Sequence, residues 1–410
     1  MRAARLLPLF LSGYGLMIGV GTGMLLLPGM TESADLSWFT ALFTATSAVC
    51  LVGLTLVDTA TYFTPLGQGA ILLLIQAGGW FYLFFALWLV RQLRRRFGEE
   101  VHFESVMPSD IIRRILLVSL LVEGGAFLLI FYSWGNYPFE SMGQKVGMTL
   151  FHTVSAFCNA GFSILEDSLY TMPQAFVLHL AVTATFVFGG LGIDTLFDLF
   201  ARSRLRQRMA RPETDWRPDT KISVNTTLPL LVAGMIVIYL LERDNALIDL
   251  NFTEKLVGSL FQAATTRTAG FYSIDIQQLG NVTLLLMIGL MLIGGGAGST
   301  AGGIKTATLY NSVAPIRGGT KRMRLARWLI GYALAVVAVG GTLLYFIESD
   351  QPGIHLLFQQ VSAFSSVGLQ PLLVSTLQLE SQWVMLGTML LGRVGMLGLA
   401  LRLASSARII

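Results

Sequence analysis

The sequence predicts an all-α polytopic membrane protein, built as four helix–pore-helix–helix repeats around one central pore. Three observations predict it: an apolar composition, spanning-length apolar runs that alternate with shorter segments, and one phrase that occurs four times. The phrase reads SAVCLVGL at Ser47 to Leu54, SAFCNAGF at Ser155 to Phe162, ATTRTAGF at Ala264 to Phe271 and SAFSSVGL at Ser362 to Leu369. Each copy ends in a glycine followed by Leu or Phe. These glycines are Gly53, Gly161, Gly270 and Gly368, at separations of 108, 109 and 98 residues. A period near one hundred residues sets the architecture before any other reading.

The membrane follows from composition. Hydrophobic residues make up 54% of the 410 and charged residues 13%, against about 25% charged in a soluble domain. Mean hydropathy is +0.66. Eight apolar runs stand out: Leu7 to Met30, Leu66 to Val90, Ile111 to Trp134, Ala175 to Phe200, Ile222 to Leu241, Val282 to Ile293, Leu325 to Ile347 and Trp383 to Leu403. Roughly 20 apolar residues cross a bilayer as helix. Seven runs qualify, and the sixth is too short alone. The first follows Arg2 and Arg5 but is too long for a signal-peptide core and lacks a small-x-small cleavage site, so it reads as a helix.

Charge gives the orientation. Basic residues cluster after the second run (Arg91, Arg94, Arg95, Arg96, Arg113, Arg114), after the fourth (Arg202 to Lys221) and after the sixth (Arg317, Lys321, Arg322, Arg324, Arg327). The positive-inside rule puts these connections and both termini in the cytoplasm. The alternate connections carry the glycine phrases and are acidic, with Asp58, Glu166, Asp167, Asp275 and Glu348 among their carboxylates. An acidic outer vestibule raises the local cation concentration. The net charge of +4 is explained by this asymmetry, with no need for nucleic acid as a partner. Basic clusters at helix ends also favour anionic lipid head groups.

Repeat boundaries follow the phrase: residues 1–97, 98–212, 213–320 and 321–410. Within each, a spanning helix precedes a segment of about 12 to 15 residues, too short to cross: Leu36 to Val49, Gln144 to Phe157, Phe252 to Thr266 and Gly353 to Phe364. Such a helix enters the membrane and returns as extended chain, an arrangement tolerated only when it is buried in protein or lines a watery cavity. The returning residues are the candidate filter: Cys50, Leu51, Val52 and Gly53; Cys158, Asn159, Ala160 and Gly161; Arg267, Thr268, Ala269 and Gly270; Ser365, Ser366, Val367 and Gly368. A filter replaces an ion's water with backbone carbonyls, and glycine reaches the necessary dihedrals without steric cost. The residue before each glycine varies, which agrees with ligation by backbone.

A second element recurs 24 to 28 residues later: Gly78-Gly79, Gly189-Gly190, Gly294-Gly295-Gly296 and Gly392-Arg393. Small residues let membrane helices approach closely. In the third repeat it expands to GGGAGSTAGGIKT. Gly294, Gly295, Gly296, Ala297, Gly298, Ser299, Thr300, Ala301, Gly302, Gly303 and Lys305 therefore read as a loop in mid-membrane between two half-helices, a candidate gate under the filter. The loop is not a Walker phosphate cradle, because Ile304 separates Gly303 from Lys305 and no strand precedes it.

Other chemistry finds little support. Cys50 and Cys158 share one phrase position and read as small packing residues. His102, His152, His179 and His355 show no metal spacing. No nucleophile or paired-carboxylate pattern marks an enzyme, and no soluble nucleotide-binding fingerprint is present. The rival to a channel-like pore is a secondary carrier with broken helices that couples sodium or proton entry to solute uptake. Carriers usually show two inverted halves rather than four parallel copies.

The four phrases, above all TTRTAGF, the glycine loop and the Gly392-Arg393 pair resemble the Trk/Ktr/HKT superfamily of potassium transporters, and the start is closer to the Ktr-type membrane subunit. The resemblance spans nearly the whole chain. It implies potassium as substrate, with sodium left open, and a preference for potassium from the glycine at Gly53. It implies a homodimer with one pore per subunit in the cell's plasma membrane, and a cytosolic nucleotide-binding ring as regulatory partner. It implies that residues 294–305 gate the pore and that Arg393 is a barrier below the filter. No cofactor is implied. QPLLVSTL, after Gly368, lacks the family's Thr-rich continuation.

Three ionisable residues within membrane runs, Glu123, Lys305 and Arg393, sit where charge is costly and are expected to be paired or functional. Arg267, where other repeats carry Cys50, Cys158 or Ser365, is expected to point behind the filter to an acidic partner.

Overall fold

The computed structural model describes residues 6–32, 36–96, 108–200, 205, 209, 216–313 and 319–405. Arg2, Arg5, Arg202, Arg204, Arg206, Arg208, Arg211, Arg317 and His102 lie outside them.

The regular elements among the described residues are helices, beside isolated bridges, and follow one order four times. A long outer helix is followed by a short helix, an extended phrase and an inner helix. The outer helices are Leu6–Leu25, Pro108–Ser133, Pro218–Glu242 and Gly319–Ile347, and the short helices are Trp38–Cys50, Met142–Cys158, Phe252–Thr265 and Gly353–Ser365. The inner helices begin at Pro65, Phe176, Asn281 and Leu379. Among the described residues six helices are long and apolar enough to cross a membrane, or seven if the bent pair Phe176–Leu191 with Ile193–Phe200 is counted as one span. Their outward faces expose large apolar side chains such as Leu16, Leu73, Leu121, Leu240 and Phe346. That surface is stable against lipid and not against water.

Local chemistry sets where the short helices start. The side chain of Ser37 accepts from Thr40 N, that of Ser141 from Gln144 N, and Asn251 with Glu254 forms a full capping box. The second short helix runs to 17 residues because the Ser141 cap starts it two residues before Gln144. In repeats one, two and four the short helix packs between the outer and inner helices of its own repeat, and in repeat three Phe252–Thr265 packs on its outer helix Pro218–Glu242. Each also touches the inner helix of the preceding repeat: Pro65–Arg96 lies against Met142–Cys158, Phe176–Leu191 against Phe252–Thr265, Asn281–Leu292 against Gly353–Ser365, and Leu379–Leu390 against Trp38–Cys50. The last contact closes the circle. The short helices are enclosed so fully that polar side chains such as Ser47, Thr149, Thr153, Ser155 and Gln360 are buried in them.

Two inner helices depart from the plain spans the sequence predicts. The run from Ala175 to Phe200 breaks at Gly192, with a bend of 105° between its halves. Gly192 has φ of +100°, a conformation that glycine adopts without strain. The run from Trp383 to Leu403 contains a π-helical turn over Leu391–Gly395. The first run ends as helix at Leu25 rather than Met30. At one end of the bundle, basic side chains from separate elements converge on Ile193–Phe200. Asp194 pairs with Arg114 at 2.9 Å and Arg91 at 3.7 Å, and Asp198 with Arg217 at 4.0 Å.

Candidate functional site

The four phrase glycines meet one another. A Cβ added at Gly53 would lie 2.6 Å from the Ala160 carbonyl oxygen, and one at Gly161 would lie 3.0 Å from Gly270 Cα. One at Gly270 would lie 2.4 Å from the Val367 oxygen, and one at Gly368 would lie 2.2 Å from the Val52 oxygen. The contacts run through repeats one, two, three and four and back to one, so four carbonyl-bearing segments form a closed ring. No side chain fits at these glycines. Their φ values of +89°, +71°, +82° and +90° independently favour glycine.

Two residues before each glycine, the backbone is also left-handed: Leu51 at +56°, Asn159 at +53°, Thr268 at +81° and Ser366 at +54°. These residues have side chains and pay a conformational cost of about 1–2 kcal/mol each. The intervening Val52, Ala160, Ala269 and Val367 have negative φ. A chain whose φ alternates in sign turns successive carbonyls toward the same side, which produces a stack of oxygens. The sequence marks the glycines for this geometry and gives no sign of it at Leu51 or Thr268.

Hydrogen bonds from the end of the short helix hold the strained phrase. In repeats one, two and four, the N–H groups of Val52, Ala160 and Val367 donate to Ser47, Ser155 and Ser362 carbonyls, closing the helix in a left-handed cap. Gly53 N donates to Ser47 Oγ, Ser155 Oγ to the Phe162 oxygen, and Thr265 Oγ1 to the Phe271 oxygen. Repeat three differs, because Ala269 N reaches only to the Thr265 oxygen, one residue closer than its counterparts. Behind the phrases, Gly78, Gly189 and Gly392 approach the carbonyls of Val49, Phe157 and Phe364 so closely that an added Cβ would lie 1.9–2.3 Å away. In repeats one, two and four the second repeated element is therefore where the inner helix seats against its short helix, whereas in repeat three Gly294 meets Gly302 of its own loop and Gly295 meets the Gly190 oxygen.

The glycine loop runs directly under this ring. It leaves helix Asn281–Leu292, is drawn together by Gly294 N donating to the Ile304 oxygen at 3.0 Å, and enters helix Thr306–Val313. Thr300 Oγ1 donates to the Phe157 oxygen at 3.0 Å or the Gly189 oxygen at 3.2 Å, and accepts from Asn159 Nδ2 at 3.0 Å. Gly302 N donates to Thr268 Oγ1 at 3.1 Å, and a Cβ at Gly302 would lie 2.1 Å from the Ser365 oxygen. Gly296 N donates to the Gly190 oxygen and Ile193 N to the Gly298 oxygen. The break at Gly192 thus supplies part of the cradle: unwinding there frees the groups that hold the loop.

The charged residues fall into place around the loop. Arg267 is buried without the expected acidic partner. Its Nη2 donates to the Gly294 oxygen at 2.9 Å, and its Nε and Nη1 have no hydrogen-bond partner among the described residues. The carbonyl at the start of the loop takes the place of a carboxylate. Lys305 Nζ donates to Ser299 Oγ at 3.1 Å and to the Ala301 oxygen, so it ties the loop to itself. Arg393 lies in the π turn, 1% exposed, with its guanidinium carbon 3.7 Å from the centre of the Tyr82 ring. Glu123 has a neutral partner rather than a cation: Gln76 Nε2 donates to it at 3.0 Å, and the Cys158 thiol donates to Gln76 Oε1 at 3.7 Å. Cys50 and Cys158 are free and buried. Below the loop lies a cavity of about 180 Å³, lined in part by Tyr82, Gly298, Gly302, Lys305 and Arg393.

On the other side of the ring several acidic residues are helix caps. Asp58 accepts from Thr61 N, and Asp275 from Gln277 N. Burial raises the Tyr272 phenol above its ordinary range, and the carboxylates of Asp167, Asp275 and Asp58 raise it further. Carboxylates of three repeats therefore share one electrostatic neighbourhood at this mouth. Leu373 stands where repeats one and three carry Asp58 and Asp275, so the fourth repeat has no carboxylate at that position.

The family model described as TrkH, cation transport protein, matches residues 22–324. The chain belongs to the TrkH cation-transport family. Among family relatives it is 33% identical to Ktr system potassium uptake protein B of Bacillus subtilis, over 93% of this chain and 89% of that protein. It is 32% identical to the potassium/sodium uptake protein NtpJ of Enterococcus hirae, over 95% and 90%. The fold is similar to the crystal structure of the potassium transporter TrkH from Vibrio parahaemolyticus, with a TM-score of 0.75 at 16% identity, covering 97% of this chain and 83% of that one. The relatives are transport proteins and not enzymes, as the sequence leads one to expect.

Two features of the site escaped sequence reasoning. The broken helix at Gly192 is signalled only by a third glycine in the GGLG of Gly189 to Gly192. The contact of Asn159 with Thr300, 141 residues apart, has no local signal at all.

Proposed function

We propose that this TrkH-family chain is a potassium uptake subunit with one pore, whose filter is the ring of backbone carbonyls at residues 50–53, 158–161, 267–270 and 365–368. The observation that carries the reading is the closed ring of contacts among Gly53, Gly161, Gly270 and Gly368. Backbone oxygens converging in four sets replace the hydration shell of a cation of fixed size. The C-terminal ends of the short helices add negative dipole potential on the same axis. Residues 294–305 are the gate, because they lie against the underside of three of the four segments. Arg393 and Lys305 add a positive barrier beneath.

The names of the relatives support potassium, and one of them adds sodium. The chain then sits in the plasma membrane with both termini cytoplasmic, works as a homodimer, and takes a cytosolic nucleotide-binding ring at its basic face. The test is ion flux into liposomes, with potassium, sodium and rubidium compared. Rubidium uptake is expected, and Gly53→Asp is expected to abolish it while the protein still assembles. Saturable flux of an organic solute, with rubidium excluded, would replace this reading with the broken-helix carrier.

A further inference from the structure

Tyr82, on the inner helix of the first repeat, is in contact with both cations beneath the ring. The Arg393 guanidinium carbon is 3.7 Å from its ring centre and Lys305 Nζ is 5.5 Å away. The two cations belong to different elements, the glycine loop of repeat three and the inner helix of repeat four. No carbonyl or carboxylate among the described residues accepts from the three guanidinium nitrogens of Arg393, and the Tyr14 hydroxyl is its polar neighbour. The Tyr82 face is thus a close attraction for the guanidinium beside the neighbouring Tyr14 hydroxyl, and a desolvated site strengthens a cation–π contact.

The turn that carries Arg393 is built to deliver it. Over Leu391–Gly395 the helix widens to a π turn, a local distortion frequent at functional sites. Tyr332 of the fourth outer helix donates its hydroxyl to the Leu391 oxygen at 3.0 Å. A Cβ at Gly395 would lie 2.0 Å from that hydroxyl, so the turn accepts Tyr332 only because residue 395 is glycine.

We propose that Tyr82 is a latch. Its ring holds Arg393 and Lys305 together, and so joins the loop to the fourth inner helix in the closed pore. Retraction of the loop and departure of Arg393 then happen as one event. Tyr82 acts through the two cations and is a positioning residue. This rests on the gate reading of residues 294–305 and Arg393.

The test measures basal rubidium flux in liposomes for Tyr82→Leu, Tyr82→Phe and Arg393→Ala. Tyr82→Leu is expected to raise flux roughly tenfold, the population shift that loss of one desolvated cation–π contact allows. Tyr82→Phe keeps the ring and is expected to restore wild-type flux. Tyr82→Leu combined with Arg393→Ala is expected to add nothing to Arg393→Ala alone. Wild-type flux in Tyr82→Leu while Arg393→Ala leaks would overturn the latch and leave the gate standing. Equal leaks from the Phe and Leu variants would also overturn it, because the hydroxyl and not the ring would then matter. Unchanged flux in Arg393→Ala would remove the barrier reading and the latch with it. Should Tyr82→Leu fail to assemble by size exclusion, Tyr82→Trp decides. A better cation–π face is expected to lower basal flux, and unchanged or higher flux refutes the latch.

Discussion

Thr300→Val is the sharpest probe of the proposed gate. The substitution keeps the shape of the side chain and removes one hydroxyl. That hydroxyl gives its single proton to the Phe157 or Gly189 oxygen and takes one from Asn159 Nδ2. The closed position thus loses two hydrogen bonds, each worth about 1 kcal/mol net. A loop that has left the ring makes neither bond, so the substitution destabilises the closed state alone. A loss of about 2 kcal/mol shifts a closed–open equilibrium about thirtyfold toward open. Rubidium efflux from liposomes reads this directly, and the slope of flux against potassium concentration tests whether the filter is intact. Efflux raised tens of times over with unchanged ion preference is expected. Asn159→Ala breaks one of the same bonds, so the double variant is expected to fall short of the sum. Efflux equal to wild type in Thr300→Val would mean that residues 294–305 do not control conduction, however closely they lie to the ring.

Two further substitutions test what the structure does with buried charge. Asp194→Asn removes the carboxylate on which Arg114 and the fully buried Arg91 converge. Breaking such a buried pair costs about 3 kcal/mol or more, so a lower midpoint in a thermal size-exclusion assay is expected, and an unchanged midpoint would deny the pair any structural weight. Glu123→Gln is expected to leave the midpoint nearly unchanged, because its partner is the Gln76 amide and no cation loses a counter-charge; a large fall would reveal that the carboxylate charge itself is needed.

The sequence made the repeats legible because the requirement at each phrase is a backbone requirement. Where a left-handed residue must also allow a neighbouring carbonyl within van der Waals reach, only glycine serves, and Gly53, Gly161, Gly270 and Gly368 announce themselves by period. Leu51, Thr268 and Ser366 adopt the same handedness with side chains that do not favour it, because caps and neighbouring hydroxyls offset the strain, and only Asn159 is of a type that enters it readily. Arg267 misled for a related reason. Burial of a guanidinium calls for an acceptor, and an acid is the acceptor that sequence can suggest. The Gly294 carbonyl is exposed for this role only because the helix has ended there, a fact of tertiary structure. The break at Gly192 was hidden in the same way, since both of its halves are apolar and the run alone has the length of one span.

The four phrases are alike in what they present to the axis and unlike in what lies behind them, and this division has a physical basis. A cation on a central axis is served best by equal oxygens on all sides, so the ring favours four near copies. A single loop that lies against the ring has one origin and different neighbours on each side. It needs Asn159 from repeat two, Thr268 and Arg267 from repeat three, and the Ser365 backbone from repeat four. Repeat one answers with Leu87, which would meet a side chain added at Gly298, and with Tyr82 below. Asn159, Arg267 and Thr268, which differ from their counterparts in the other phrases, are thus residues whose side chains the loop touches. Making the phrases identical would leave the ring's backbone chemistry intact and take away the contacts that keep residues 294–305 in place. Replacement of Asn159 by Leu, as in the first phrase, is accordingly expected to loosen the gate without altering ion preference.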